Sequence, residues 1–402
     1  MKVLDKNMLN RKAFFIFFAT YLGLCPVFWM PNVPPAFFTL TKYSLFIYIS
    51  LYSILYTYKN SNSFVIRFPG GYFTLLALLI MFIIVLPIFL LGDNSESLNA
   101  IVNLLQTIIF LIATRVIIDC RKVSFVIKIA SIILSIFVIA SVVLMLAMPF
   151  TPNPFNENLT LLDTGFSGAR TGWTPSIGIF IPLVLIFYPS VIVLFVYLFS
   201  QMLTGGRAGF YFSVLSVPAL LFFDKSSGIK KRFILLSVIV FIILYFYDPS
   251  YFEGFRVFDS LSNTENMDVD DLSSGRLTRM YDAWSSILKS PFLGNAMYAS
   301  FSGDNVHNVF MKGWVFYGFL YFLCSISIVC YAIIKALQKI YYSNNYFDRK
   351  FFIASFTVLM FGVLVGFVEP AIIFGNFTTF SVWWFIFALV TSSNFRLSKE
   401  LD

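Results

Sequence analysis

Between Asp271 and Lys312 the chain sets two arginines, Arg276 and Arg279, one helical turn apart, and then places its single histidine, His307, just ahead of a long apolar run. A neutral imidazole at such a point can take a proton from a hydroxyl nucleophile, its basicity helped by a carboxylate such as Asp304 or Glu369. Asn308 and Lys312 are four residues apart on one helical face, which would aim both at the same cavity mouth. Two further arginines, Arg170 in Gly165-Phe-Ser-Gly-Ala-Arg170-Thr-Gly-Trp and Arg207 in Thr-Gly-Gly-Arg207-Ala-Gly, are flanked by glycines. Small neighbours let backbone and a bulky ligand come close. One histidine with no paired acidic motif is poor zinc or divalent-cation chemistry, so neither metal nor cofactor is expected.

The elements that must position these groups are mostly buried in hydrocarbon. The 402 residues are 59% hydrophobic and only 12% charged, about half the charge fraction of a soluble domain. That predicts a single all-α, polytopic membrane domain over 1–402 with about 11–12 transmembrane helices. Runs near the roughly 20 residues a span needs occur at about 13–30, 36–57, 71–91, 98–118, 125–148, 177–203, 208–223, 233–247, 308–337, 351–369 and 377–392. The first has no small-residue cleavage site and reads as a retained helix. The net charge of +8 sits largely in short loops, where it orients the chain rather than binding nucleic acid. Cys25, Cys120, Cys324 and Cys330 lie in or beside apolar runs without paired spacing, and indicate neither disulfides nor a metal site. Trp29, Trp173, Trp314, Trp383 and Trp384 read as packing or interface residues.

Loop charges give the orientation. The positive-inside rule makes the N-terminus, the Lys59–Arg67 loop and the Arg115-Arg121-Lys122 turn cytoplasmic, along with the Lys225–Arg232 turn, the Lys335–Lys350 segment and the C-terminus. It follows that 149–176 is an external loop and 248–306, in which acids outnumber bases, a second and larger one. Thr204–Arg207 is then external too, and the run 177–203 cannot be one crossing: its roughly 27 residues make ~40 Å of helix, one traverse and not two. Either it is a pair of half-helices turning near Tyr188-Pro189-Ser190, or it is one ordinary helix and a span is misplaced elsewhere.

Within the larger loop an amphipathic helix is expected at about 275–290. Ser274 would cap it, Leu277, Met280, Trp284 and Leu288 would form its apolar stripe, and Pro291 follows its end. Arg276 and Arg279 fall in the first turn, where a cation opposes the helix dipole and an approaching anion would relieve it. The plainer alternative is a surface helix with both arginines paired to Asp271 and Asp282. An arginine cluster with one base beside lipid suits a diphosphate leaving group on a lipid carrier. An anion channel or transporter would instead carry its charges at mid-span, where this sequence has almost none.

The order of these pieces resembles the bacterial O-antigen polymerase and O-antigen ligase superfamily. The resemblance rests on four features over roughly 160–330: Arg170-Thr171-Gly172-Trp173; Thr204-Gly205-Gly206-Arg207-Ala208-Gly209; Ser274-Gly275-Arg276-Leu277 followed by Trp284 and Ser290-Pro291-Phe292-Leu293-Gly294; and His307-Asn308 leading through Gly313 and Gly318. Thr-Gly-Gly stands where the family has a serine before the first arginine, and the middle run is short for two full spans. The resemblance implies a GT-C-like, metal-independent glycosyltransferase of the inner membrane, working at the periplasmic face. Arg207 and Arg276 would hold the departing diphosphate and His307 would activate or orient the acceptor hydroxyl, with Arg170, Arg279, Asn308, Lys312, Asp304 and Glu369 as binding residues. Donor and acceptor would be undecaprenyl-diphosphate-linked oligosaccharides, membrane lipid would surround the protein, and a chain-length regulator and a flippase would be its working partners. A polymerase is the first expectation. A ligase acting on lipid A core, a lipid-linked sugar flippase and a non-catalytic scaffold are the alternatives.

Overall fold

The structure is a computed structural model that describes residues 2–59, 68–91, 95–188, 190–214, 275–295, 306–369, 373–374, 377–393 and 395–398. The expected span 233–247, most of 208–223, the basic turn 225–232 and the loop segments 248–274 and 296–305 lie outside them. In order come α1 (Lys2–Leu24), α2 (Pro35–Lys59), α3 (Gly71–Leu91), α4 (Ser95–Asp119) and α5 (Val123–Ala147), then a short hairpin of β1 (Pro152–Asn153) and β2 (Asn156–Thr160). There follow α6 (Leu161–Thr164), α7 (Arg170–Gly178), α8 (Ile181–Phe187) and α9 (Val191–Thr204), and the backbone is helical again over 207–214. After the undescribed stretch come α10 (Arg276–Lys289), α11 (Val309–Tyr317), α12 (Phe319–Tyr342), α13 (Tyr346–Gly366) and α14 (Phe377–Thr391). Among the described residues six helices, α2 to α5 with α12 and α13, are long and apolar enough to cross a membrane. The chain is a mostly helical, multi-pass membrane protein.

The alternation of these helices, checked by contacts between loops, sorts the bundle into two ends. At one end Phe28 and Trp29 donate their backbone N–H groups to Phe166 O, and Trp29 Nε1 donates to Ser167 O. Glu96, opening α4, pairs with Lys312 there at 3.0 Å. At the other end Arg115 Nη1 donates to Ser392 Oγ, Lys339 Nζ donates to the carbonyls of Leu389, Ser392 and Phe395, and Ser398 donates to Asp348. We call these the Trp29 end and the Arg115 end. Among the described residues the second carries the basic positions Arg115, Arg121, Lys122, Lys335, Lys339 and Arg349.

The run 177–203 is a hairpin. The helix is interrupted at Ile179-Phe180 and ends at Tyr188, and α9 returns from Ser190. Its two limbs meet again at the Trp29 end: Trp173 Nε1 donates to Ser200 Oγ at 3.0 Å, and Gly206 and Gly209 pack on Thr174 and Pro175. A Cβ on Gly206 would lie 2.2 Å from Thr174 Oγ1, and one on Gly209 2.7 Å from Pro175 N. These glycines allow a close helix approach, so the space they leave is occupied by α7. The segments bearing Arg170 and Arg207 therefore lie at the same end of the bundle.

The expected span 308–337 breaks into α11 and α12 at Gly318, whose φ of 84° and ψ of −179° suit glycine alone. The break is a docking point. Asn295 N donates to Val315 O, Phe319 N to Pro291 O, and Trp314 Nε1 to Pro291 O, while a Cβ on Gly318 would sit 2.0 Å from Phe292 O. The Ser-Pro-Phe-Leu-Gly turn after α10 is thus clamped to the joint. The tryptophans Trp29, Trp173, Trp383 and Trp384 are fully buried packing residues, and α14 lies in the centre of the core with Trp383 Nε1 on Leu359 O and Trp384 Nε1 on Ile373 O.

Candidate functional site

The helix expected at about 275–290 is α10, and its start differs from expectation. Gly275, left-handed at φ 72°, occupies the N-cap with no side-chain cap, and Ser274 lies outside the described residues. Its packed face lies beside the apolar stripe, with the Trp284 ring edge-on to Trp314 at 5.9 Å. Ala283 and Ile287 are buried against Val306 and Val315, whereas Leu277, Met280, Trp284 and Leu288 are exposed, followed by Phe292 and Leu293 at 75% and 78% exposure. An apolar stripe that faces outward on a helix docked to a membrane bundle suits lipid contact at the interface.

This docking fixes the arginines. Arg276 Nη2 reaches Glu369 Oε1 at 2.9 Å. Glu369 stands just after α13, its N–H bonded to Val365 O, and is only 4% exposed. The end of α13 is brought here by Gly366 packing on Val309 and by the Phe310 and Phe367 rings, 5.4 Å apart. Burial, opposed by the Arg276 guanidinium, pushes the Glu369 carboxyl up to about 7, so near neutral pH this ion pair is poised between its charged and protonated forms.

One turn on, Arg279 Nη1 meets His307 Nε2. The imidazole is held by its neighbours: Val306 packs under α10, and the buried Asn308 caps α11 by accepting from Phe310 N and Met311 N. Partial burial first, then Arg279 and Arg276, hold the His307 pKa below its ordinary value. With Arg279 as donor, Nε2 is the acceptor and the ring proton belongs on Nδ1. The sequence reading supplied a carboxylate partner for His307. Asp304 lies outside the described residues, Glu369 binds Arg276, and the group beside the imidazole is a guanidinium. The ring is neutral at pH 7 because its surroundings disfavour a second positive charge.

The remaining predicted residues fall around this core. Asn308 commits its side-chain oxygen to the cap. Lys312 pairs with Glu96, and Tyr317 Oη donates to Glu96 O at 3.3 Å. Asp282 is exposed, its carbonyl taken by the hydroxyls of Ser285 and Ser286, and Asp271 lies outside the described residues. Arg207, half-buried, starts the 207–214 helix one turn before Tyr211. Arg207 and the α7 terminus at Arg170 share the Trp29 end with the cluster, and among the described contacts Arg207 does not touch it. Sequence reasoning missed Glu96, whose only signal is an acid opening a span, and Asn295, which ties Ser286 O to Val315 O through its amide.

Arginines aligned along one turn, a neutral imidazole and a carboxyl that titrates near neutrality can bind a multivalent anion and accept one proton from a hydroxyl. Among the described residues no group of histidine, cysteine, aspartate and glutamate is arranged to hold a metal ion. In comparison with known families and proteins, no family model matches the chain and no curated protein matches it.

Proposed function

We propose that this protein is a surface-polysaccharide polymerase that joins polyprenyl-diphosphate-linked oligosaccharide units by glycosyl transfer, with the Arg115 end cytoplasmic and the Trp29 end periplasmic. The observation that carries the reading is the pairing of Arg276 with Glu369 and of Arg279 with His307 on one helix turn, beside an outward apolar stripe where a lipid carrier can lie. The orientation is supported by the basic residues Arg115, Arg121, Lys122, Lys339 and Arg396 gathered at the opposite end.

In the substrate-free protein each arginine is held by a protein partner, and a diphosphate can draw both. As Arg276 turns to the phosphoryl oxygens, Glu369 is left buried without its cation and takes up a proton. As Arg279 turns, His307 Nε2 becomes free to accept. The acceptor hydroxyl then attacks the anomeric carbon, its proton passes to Nε2, and the bond from that carbon to the diphosphate breaks with its electron pair on the leaving oxygen. Arg276, Arg279 and Arg207 stabilise that charge.

The test is reconstituted protein supplied with lipid-linked repeat units. Longer glycans and released polyprenyl diphosphate are expected, with His307→Ala and Arg276→Ala losing at least ~100-fold in rate at unchanged protein level. Unchanged substrate would indicate a flippase, and full activity in both variants would remove these residues from the chemistry.

A further inference from the structure

At the Arg115 end, opposite the cluster just described, α3, α4, α12, α13 and α14 surround a cavity of about 1060 Å³ with a mainly polar lining. Four cations reach it from two helices and the C-terminal segment: Arg115, Lys335, Lys339 and Arg396. Two carboxylates, Asp119 and Asp348, accompany them. Hydrogen bonding divides these charges unequally. Arg115 Nη2 pairs with Asp119 at 2.8 Å. Asp348 is consumed by Ser398, accepting its N–H at 2.8 Å and its hydroxyl at 2.7 Å. Lys339 donates to three carbonyls, which uses all its protons structurally, yet its charge remains. Lys335 donates to the side-chain amide oxygen of Gln338 and lies over the Tyr331 ring, 5.6 Å from its centroid, and no carboxylate pairs with it among the described residues. Arg396 is exposed, and no carboxylate partners it among the described residues. Lys335 and Arg396 both stand within electrostatic reach of Lys339.

The floor adds room. Gly70 and Gly71, both at positive φ, line the cavity where α3 begins, and a Cβ on Gly71 would meet nothing within 4 Å. The turn is closed by the Gly71 N–H donating to Phe68 O at 2.7 Å. We propose that this cavity is a binding site for a compact phosphate-bearing anion of charge near −2. Two cations without carboxylates match a dianion better than a single carboxylate, and the volume, at the upper end of ligand pockets, admits an organic body behind the phosphate. Lying between membrane helices, the site can draw that phosphate from an anionic lipid headgroup or from a soluble diphosphate.

The experiment uses the full chain in nanodiscs and reads the thermal unfolding midpoint. Inorganic pyrophosphate added to phosphatidylcholine discs tests the soluble source, and discs containing cardiolipin test the lipid source. Expected is a rise of several degrees in at least one arm, at least ~10-fold weaker in half-saturating concentration or mole fraction for Lys335→Gln/Arg396→Gln, and restored in Lys335→Arg/Arg396→Lys. Both substitutions are at surface-accessible positions remote from the Arg276 cluster, and the ligand-free midpoint in phosphatidylcholine confirms that the variant folds. A rise in pyrophosphate alone assigns a soluble ligand, and a cardiolipin rise that pyrophosphate does not reproduce assigns a lipid. No rise in either arm, or a rise of equal size and affinity in the glutamine variant, overturns the proposal.

Discussion

Glu369→Gln isolates the Arg276–Glu369 ion pair that joins α10 to the end of α13. The change keeps the side chain's size and an oxygen to accept from Arg276, and removes the titrating group. In the folded protein the carboxyl is raised from 4.5 to about 7 by burial. A carboxyl raised on folding binds its proton more tightly in the native state, so its contribution is fully present below about pH 4.5 and is lost as pH rises through about 7. At about 1.4 kcal/mol per unit the whole gap is worth roughly 3 kcal/mol, most of it between pH 5 and pH 8. Because Glu369 is 4% exposed, solvent screening takes little from that figure. Unfolding titrations in mixed micelles, followed by tryptophan fluorescence at pH 5 and pH 8, give the stability change for each protein. The wild type should lose about 2–3 kcal/mol more than the variant on going to pH 8. Equal pH dependence in the two proteins would refute the reasoning, since it would mean that the carboxyl does not change its proton affinity on folding.

Three other perturbations test what positions the site. Gly318→Ala forces a Cβ to within 2.0 Å of Phe292 O at a backbone conformation that only glycine adopts readily, so a loss of at least ~2 kcal/mol is expected; a variant of normal stability in the same titration would show that α10 is not clamped at this joint. Trp173→Phe removes the hydrogen bond that closes the α7–α9 hairpin and strands Ser200 Oγ, costing about 1–3 kcal/mol, whereas an unchanged midpoint would separate the two limbs. Lys312→Met breaks a pair whose side chains are 24% and 35% exposed, and should cost under ~1 kcal/mol; a loss above ~2 kcal/mol would give the Glu96 contact a structural weight that its exposure denies. His307 adds a trend opposed to that of Glu369. Its depressed pKa favours the folded state above about pH 6.5 and loses that contribution as pH falls below it, and activity dependent on the neutral ring should decline over the same interval.

Several features were legible without coordinates because they follow from local chemistry. Long apolar runs must be helices in hydrocarbon, so α2 to α5 match their sequence limits closely, while the run 308–337 splits at Gly318 into α11 and α12 and α13 begins and ends a few residues before its expected limits; α10 runs from Arg276 to Lys289 where spacing placed it. Parity of loop charges left two readings of the run 177–203, a pair of half-helices or one ordinary helix, and the hairpin joined by Trp173 and Ser200 is the first of them. What local pattern could not decide is which face of a helix meets which neighbour. The stripe Leu277, Met280, Trp284 and Leu288 has a core-like period, yet in a membrane protein lipid is as good an apolar partner as protein, and the packed residues are Ala283 and Ile287. The partners of the charged groups were equally nonlocal: Arg276 lies 93 residues from Glu369, and Arg279 lies 28 residues from His307. Sequence supplied the guanidiniums, the carboxyl and the imidazole. Only the clamp of Pro291–Gly294 on the Gly318 joint, with the end of α13 laid against α11, decided that the carboxyl would hold an arginine and that the histidine would face another.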